Sequence, residues 1–187
     1  MQSPNLFIVK PRENKRYNNT KNIGGIDFIT STSQEDHQFS NRYAIVVSTP
    51  LDYGGDIAPG DTLLVHHNVF KYYYDMKGKQ KSGKSFLKED HFMVDREQFF
   101  MYKKNGEWRA HGKFCFIEPI QTKESVIYKN TREEPLVGKI RYINDELLSL
   151  GLKVGDEVGF QPESEYAFDV EGEKLYRMFT NNICLRM

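Results

Sequence analysis

A turn-and-strand segment occurs twice in this chain, as Pro59-Gly60-Asp61-Thr62-Leu63-Leu64-Val65 and as Val154-Gly155-Asp156-Glu157-Val158-Gly159-Phe160. In each copy a Gly supplies the positive φ that a tight turn needs, the following Asp can hydrogen-bond the turn backbone, and a short apolar run enters a strand. One such turn says little, because Gly-Asp before a strand is common in small β proteins. Two of them require the flanking segments to be compared, and those repeat as well.

Leu6-Phe7-Ile8-Val9-Lys10-Pro11 is an apolar strand ended by proline, and Phe114-Cys115-Phe116-Ile117-Glu118-Pro119 mirrors it. Each is followed by a polar stretch, residues 12–41 in the first half and residues 121–135 in the second. Tyr43-Ala44-Ile45-Val46-Val47 is mirrored by Leu136-Val137-Gly138-Lys139-Ile140, and each strand leads towards a Gly-Asp turn. Tyr72 to Gly78 matches Tyr166 to Gly172, and both halves close on a strand, a turn and a strand. Asn144 to Gly151 reads as a single helical turn with Asn as cap and Gly as stop. The repetition predicts a tandem duplication of a β module of about 80–100 residues, divided as residues 1–106 and 107–187.

Composition agrees with strands. The 187 residues include 13 Phe and 11 Tyr but one Trp, and aromatic residues favour sheets. The net charge of zero argues against nucleic acid or an anionic membrane as partner. The longest apolar runs are too short for a membrane span or a signal-peptide core, so the chain is expected to be soluble and cytoplasmic. Cys115 and Cys184 lack a Cys-x-x-Cys pairing and are read as apolar strand residues, not a disulfide or zinc site.

Several motifs invite a chemical reading and are better explained by structure. His66 and His67 on a strand would face opposite sides, which does not suit one metal ion. Lys77-Gly78-Lys79-Gln80-Lys81-Ser82-Gly83-Lys84 lacks Walker spacing and reads as a solvated basic loop. Tyr72, Tyr73 and Tyr74 are a candidate stacking surface for bases, but alternation is expected to place at least one in the core. No nucleophile triad or carboxylate pair stands out, and neither a cofactor nor enzymatic activity is expected.

The residues 12–41 are rich in Asn, Lys, Thr, Ser and Gln, a composition too polar to order itself by burial. Within it sits Ile23-Gly24-Gly25-Ile26-Asp27-Phe28-Ile29. A proline-ended strand, a long polar loop carrying Gly-Gly-Ile, a strand and a Gly-Asp turn together resemble the ten-kilodalton chaperonin (GroES-like co-chaperonin) family. The resemblance covers residues 5–102 most clearly, with residues 113–185 a more divergent copy.

What the resemblance implies is an all-β chain of two tandem GroES-like irregular β-barrels, assembled as a homo-oligomeric ring. Its mobile loops would bind a chaperonin-60 ring and cap the folding chamber, with any ATP dependence belonging to that partner. The loop contacts would be Gly24, Gly25, Ile26, Phe28 and Ile29, with Val126, Ile127 and Tyr128 as the candidate in the second loop. Tandem versions occur in plastids and shorter, roofless versions in bacteriophages; this chain is similar to both. It departs from the family where Asp27 separates Ile26 from Phe28, although an extended strand still places Ile26 and Phe28 on one face. The alternative reading is a viral structural or adaptor protein built on a duplicated barrel, which predicts a packed loop.

Overall fold

A computed structural model describes residues 1–18, 20–29, 39–122 and 133–187. The chain divides into two compact units, Met1–Glu107 and Trp108–Met187. The elements in order are β1 (Phe7–Pro11), β2 (Thr20–Ile23), β3 (Ile26–Ile29), β4 (Tyr43–Ser48), β5 (Thr62–Val65), β6 (Tyr72–Tyr74), β7 (Gln80–Ser82), β8 (Phe86–Lys88) and β9 (His91–Val94). They continue as β10 (Phe99–Lys104), β11 (Glu107–Ala110), β12 (Phe114–Gln121), β13 (Glu133–Tyr142), α1 (Asp145–Ser149), β14 (Glu157–Phe160), β15 (Tyr166–Val170), β16 (Glu173–Phe179) and β17 (Ile183–Arg186). The protein is all-β, with α1 a short exception. No helix among the described residues is long and apolar enough to cross a membrane.

The larger sheet runs β11-β10-β5-β4-β1-β9-β8, and the second β15-β16-β12-β13-β14-β17. Among the described residues both are open ladders, ending in β11 and β8 and in β15 and β17. Within them one five-strand order occurs twice: β10-β5-β4-β1-β9 in the first and β17-β14-β13-β12-β16 in the second. The irregularities repeat too. The β1–β4 ladder slips between Ile8 and Val9, and the β12–β13 ladder between Phe116 and Ile117.

The Gly-Asp turns match bond for bond. Gly60 N–H donates to Val46 O and Gly155 N–H to Ile140 O, each at 2.8 Å. The Asp61 carboxylate accepts from Ala58 N–H at 2.8 Å and that of Asp156 from Lys153 N–H at 2.9 Å. The φ values of Gly60 and Gly155 are 96° and 89°. Equivalent positions also build the two cores, with Val9, Val46, Leu63 and Val65 in one and Ile117, Ile140, Val158 and Phe160 in the other.

Two expectations differ. Tyr72 to Gly78 is not the counterpart of Tyr166 to Gly172: β15 pairs with β16, as β8 pairs with β9, whereas β6 pairs with β7 in a separate two-stranded sheet. The shared aromatic-Asp pattern concealed an inserted hairpin, and the true equivalents Glu89 and Glu171 reveal it by their positive φ of 51° and 56°. The tyrosines also avoid the core: Tyr73 and Tyr74 are exposed and Tyr72 is half-buried.

Asn144 caps α1 as expected, its side chain accepting from Leu147 N–H at 2.9 Å. Cys115 is buried, and burial pushes its thiol up to about 12; Cys184 also lies in a strand, β17, where it is exposed.

Close approach makes one glycine necessary. A Cβ on Gly138 would lie 2.3 Å from Ile117 Cγ2 and 2.8 Å from Glu118 O. The equivalent position in the first unit is Ala44, which faces Pro11 as Gly138 faces Pro119. Gly138→Val is therefore expected to cost about 3 kcal/mol by overpacking, and Ala44→Gly about 1 kcal/mol through backbone entropy. Urea unfolding checks the pair, and equal midpoints for Gly138→Val and wild type would contradict it.

Candidate functional site

Between β1 and β4, residues 12–18 and 39–42 form a clasped stem and residues 20–29 a hairpin. At the stem, Asn18 N–H donates to Phe39 O at 2.7 Å and Asn41 N–H to Arg16 O at 3.0 Å. The buried Asn41 amide donates to the carbonyls of Arg12 and Lys15 at 2.9 and 2.7 Å, while its Oδ1 accepts from Tyr43 N–H. Every polar atom of that amide is used, as a buried polar group requires. Tyr17 is buried beside it, its ring 5.0 Å from that of Tyr72 in an edge-to-face contact.

Arg16 fastens the stem to its surroundings. Its Nε donates to Phe70 O at 2.8 Å, Nη2 to Lys71 O at 2.9 Å and Nη1 to Ser82 Oγ at 3.1 Å. The guanidinium also lies over the rings of Tyr72 and Phe92 at 4.9 and 5.0 Å. Burial holds the Arg16 guanidinium below its ordinary pKa and raises the Tyr17 phenol.

Beyond the stem, β2 and β3 pair only with each other among the described residues. The two-residue connection is Gly24-Gly25, with φ of 62° and 84°, the positive pair that a type I′ hairpin turn needs. Ile23 faces Ile26 and Lys21 faces Phe28 across the ladder. Ile23, Ile26 and Phe28 consequently share one side of the hairpin, and they are 56%, 63% and 49% exposed. Ile29 is paired with Thr20 at the open end. Polar composition predicted a segment without order of its own; the Gly-Gly turn instead closes a local ladder that needs little core.

The structure thus brings Gly24, Gly25, Ile26 and Phe28 together and adds Ile23 to the side that carries Ile26 and Phe28. The signal for Ile23 was the Ile-Gly-Gly-Ile spacing of a two-residue hairpin. Arg16 and Asn41 carried no comparable signal, since Arg16's partners lie 54 to 66 residues away in sequence. Val126, Ile127 and Tyr128 lie outside the described residues.

Where the second loop rejoins its sheet, Glu133 is gripped by β16. Its carboxylate accepts from Lys174 Nζ at 2.6 Å and from the Tyr176 hydroxyl. The Lys174 bond first, then that of Tyr176, holds the Glu133 carboxyl below its ordinary 4.5. A depressed carboxyl stabilises the fold fully above 4.5 and loses that contribution as pH falls through the lower folded value. Glu133→Gln is expected to be less stable than wild type at pH 7 and to converge with it as pH falls through the lowered folded value, read by urea unfolding from neutral to acid pH. A constant difference at every pH would remove the assigned role.

His66 and His67 follow the end of β5, so strand alternation does not separate them; their rings stack at 4.0 Å. No group of three or more His, Cys, Asp or Glu is placed to hold a metal ion among the described residues.

No family model matches this chain, and no curated protein matches it.

Proposed function

We infer that the chain is a co-chaperonin, a non-enzymatic lid of two tandem GroES-like barrels that docks on a chaperonin-60 ring. The observation that carries this reading is the exposed apolar side of Ile23, Ile26 and Phe28 on a hairpin held out by a clasped stem. Fully burying such side chains is worth about 1.5–3 kcal/mol each, so one hairpin binds weakly and reversibly. Several hairpins on one ring would reach useful affinity through effective concentration while each stays releasable. A lid that must come off needs that combination.

Ring assembly has a candidate surface in β17, the outer strand of its sheet, where Leu185 is exposed. An unpaired strand edge is a template for another chain. The alternative of a viral structural or adaptor protein calls for a loop packed down on its barrel; the exposure of Ile23, Ile26 and Phe28 favours the lid. The test is size-exclusion chromatography of the chain with a chaperonin-60 ring. Co-migration with ATP or ADP and separation without nucleotide is expected, and separate elution under every nucleotide condition overturns the reading.

A further inference from the structure

The hairpin β6–β7 belongs to neither copy of the duplicated frame, and its chemistry differs from that of the loop hairpin. The segment 71–84 holds five lysines, Lys71, Lys77, Lys79, Lys81 and Lys84, against the single acid Asp75. The chain's zero net charge averages this excess away. Tyr73 faces Lys81 in the ladder. Backbone bonds extend the pairing in both directions, Gly83 N–H to Lys71 O at 2.9 Å and Asp75 N–H to Lys79 O at 3.0 Å. Alternation along this ladder then puts Lys71, Tyr73, Lys79 and Lys81 on one side.

Tyr73 is half exposed, so a flat ring shares its side of the ladder with three lysines. Asp75 falls on that side too, but its Oδ1 is engaged with the N–H groups of Lys77 and Lys79, each at 2.9 Å. None of the five lysines is in an ion pair among the described residues. A lone two-stranded hairpin is only marginally stable in water. This one is anchored at its base, where Arg16 binds Lys71 O and Ser82 Oγ and packs on Tyr72.

We propose that this side of the β6–β7 hairpin binds single-stranded nucleic acid, with a base stacked on Tyr73 and the phosphates on either side of it held by Lys71, Lys79 and Lys81. An aromatic ring between cations matches a strand that presents bases between phosphates, and such stacking tolerates any sequence. Duplex is disfavoured, because its bases are already stacked on one another. An anionic membrane fits less well: an interfacial segment collects its apolar groups on one face, whereas Tyr73 and Tyr74 lie on opposite sides of the ladder.

The experiment is fluorescence anisotropy of a labelled 20-nucleotide oligothymidylate with the full chain. Binding is expected in the micromolar range at about 50 mM salt, weakening as salt rises. Tyr73→Ala should weaken it about 5- to 100-fold, and Tyr73→Phe should restore it, since the ring and not the hydroxyl stacks. Lys71→Gln with Lys81→Gln should lower the slope of log affinity against log salt by about 1.4. Tyr73 and Lys81 are exposed and Lys71 is half-buried, and unchanged thermal melting identifies a loss of binding as local. No oligonucleotide binding at 50 mM salt, equal binding by Tyr73→Ala, or binding to phosphatidylserine vesicles but not to the oligonucleotide would each overturn the proposal. None of these outcomes depends on the chaperonin ring.

Discussion

Replacing Ile26 and Phe28 together by serine is expected to abolish co-migration with a chaperonin-60 ring under every nucleotide condition, without lowering the melting temperature. Both side chains are substantially exposed in the free protein, so the fold does not depend on burying them. Docking does, at about 1.5–3 kcal/mol for each buried side chain, or about 3–6 kcal/mol lost from each hairpin. In the proposed lid several hairpins would share the binding, so a loss of that size in every hairpin would compound far beyond its effect on one. The Gly24-Gly25 turn sharpens the argument: a strand pair already formed forgoes part of the ordering cost that a disordered loop meets on binding. Ile23→Ser alone should give an intermediate loss. If the double variant still co-migrates, the hairpin is not the contact.

Arg16→Ala is expected to lower the unfolding free energy by about 2–4 kcal/mol, a discounted sum for three hydrogen bonds from a half-buried cation. The carbonyls of Phe70 and Lys71 lose their partners, and Tyr72 and Phe92 lose the guanidinium above them. Lysine does not rescue, since a single ammonium cannot reproduce the fork that reaches three acceptors. Exchange of the Asn18, Asn41 and Gly83 amides, which close the stem and the base of the second hairpin, should accelerate by tenfold or more. Unaltered exchange there would show that the stem holds without its arginine.

Much of the frame was legible because it is local and repeated. The strand ended by Pro11, the strand at Tyr43, the capped turn after Asn144 and the Gly60 and Gly155 turns each depend on residues adjacent in sequence, and each is in the structure. What escaped depends on distance. Nothing near Arg16 announces that its guanidinium reaches Phe70, Lys71 and Ser82. The match of Tyr72 to Tyr166 failed because composition was aligned where pairing decides: β6 leaves the main sheet and β15 stays in it. Polarity made the loop look unstructured, although Ile-Gly-Gly-Ile is itself a hairpin signal.

Two units built on one strand order share a hazard during folding, because a strand of one can compete for the place of its counterpart in the other. The glycine at 138 acts on that competition. β12 carries Ile117 against the bare backbone of Gly138, in space that a Cβ there would invade. Offered to β4 in the same register, β12 meets the methyl group of Ala44 at the equivalent point, while β1 already fits it. In the reverse exchange, β1 on β13 presents Val9 where Ile117 belongs, leaving a methylene-sized gap. The bare Gly138 thus works against β12 on β4 and the smaller Val9 against β1 on β13, and a chain carrying Ala44→Gly, which removes the first obstacle, would refold with more misassembled product.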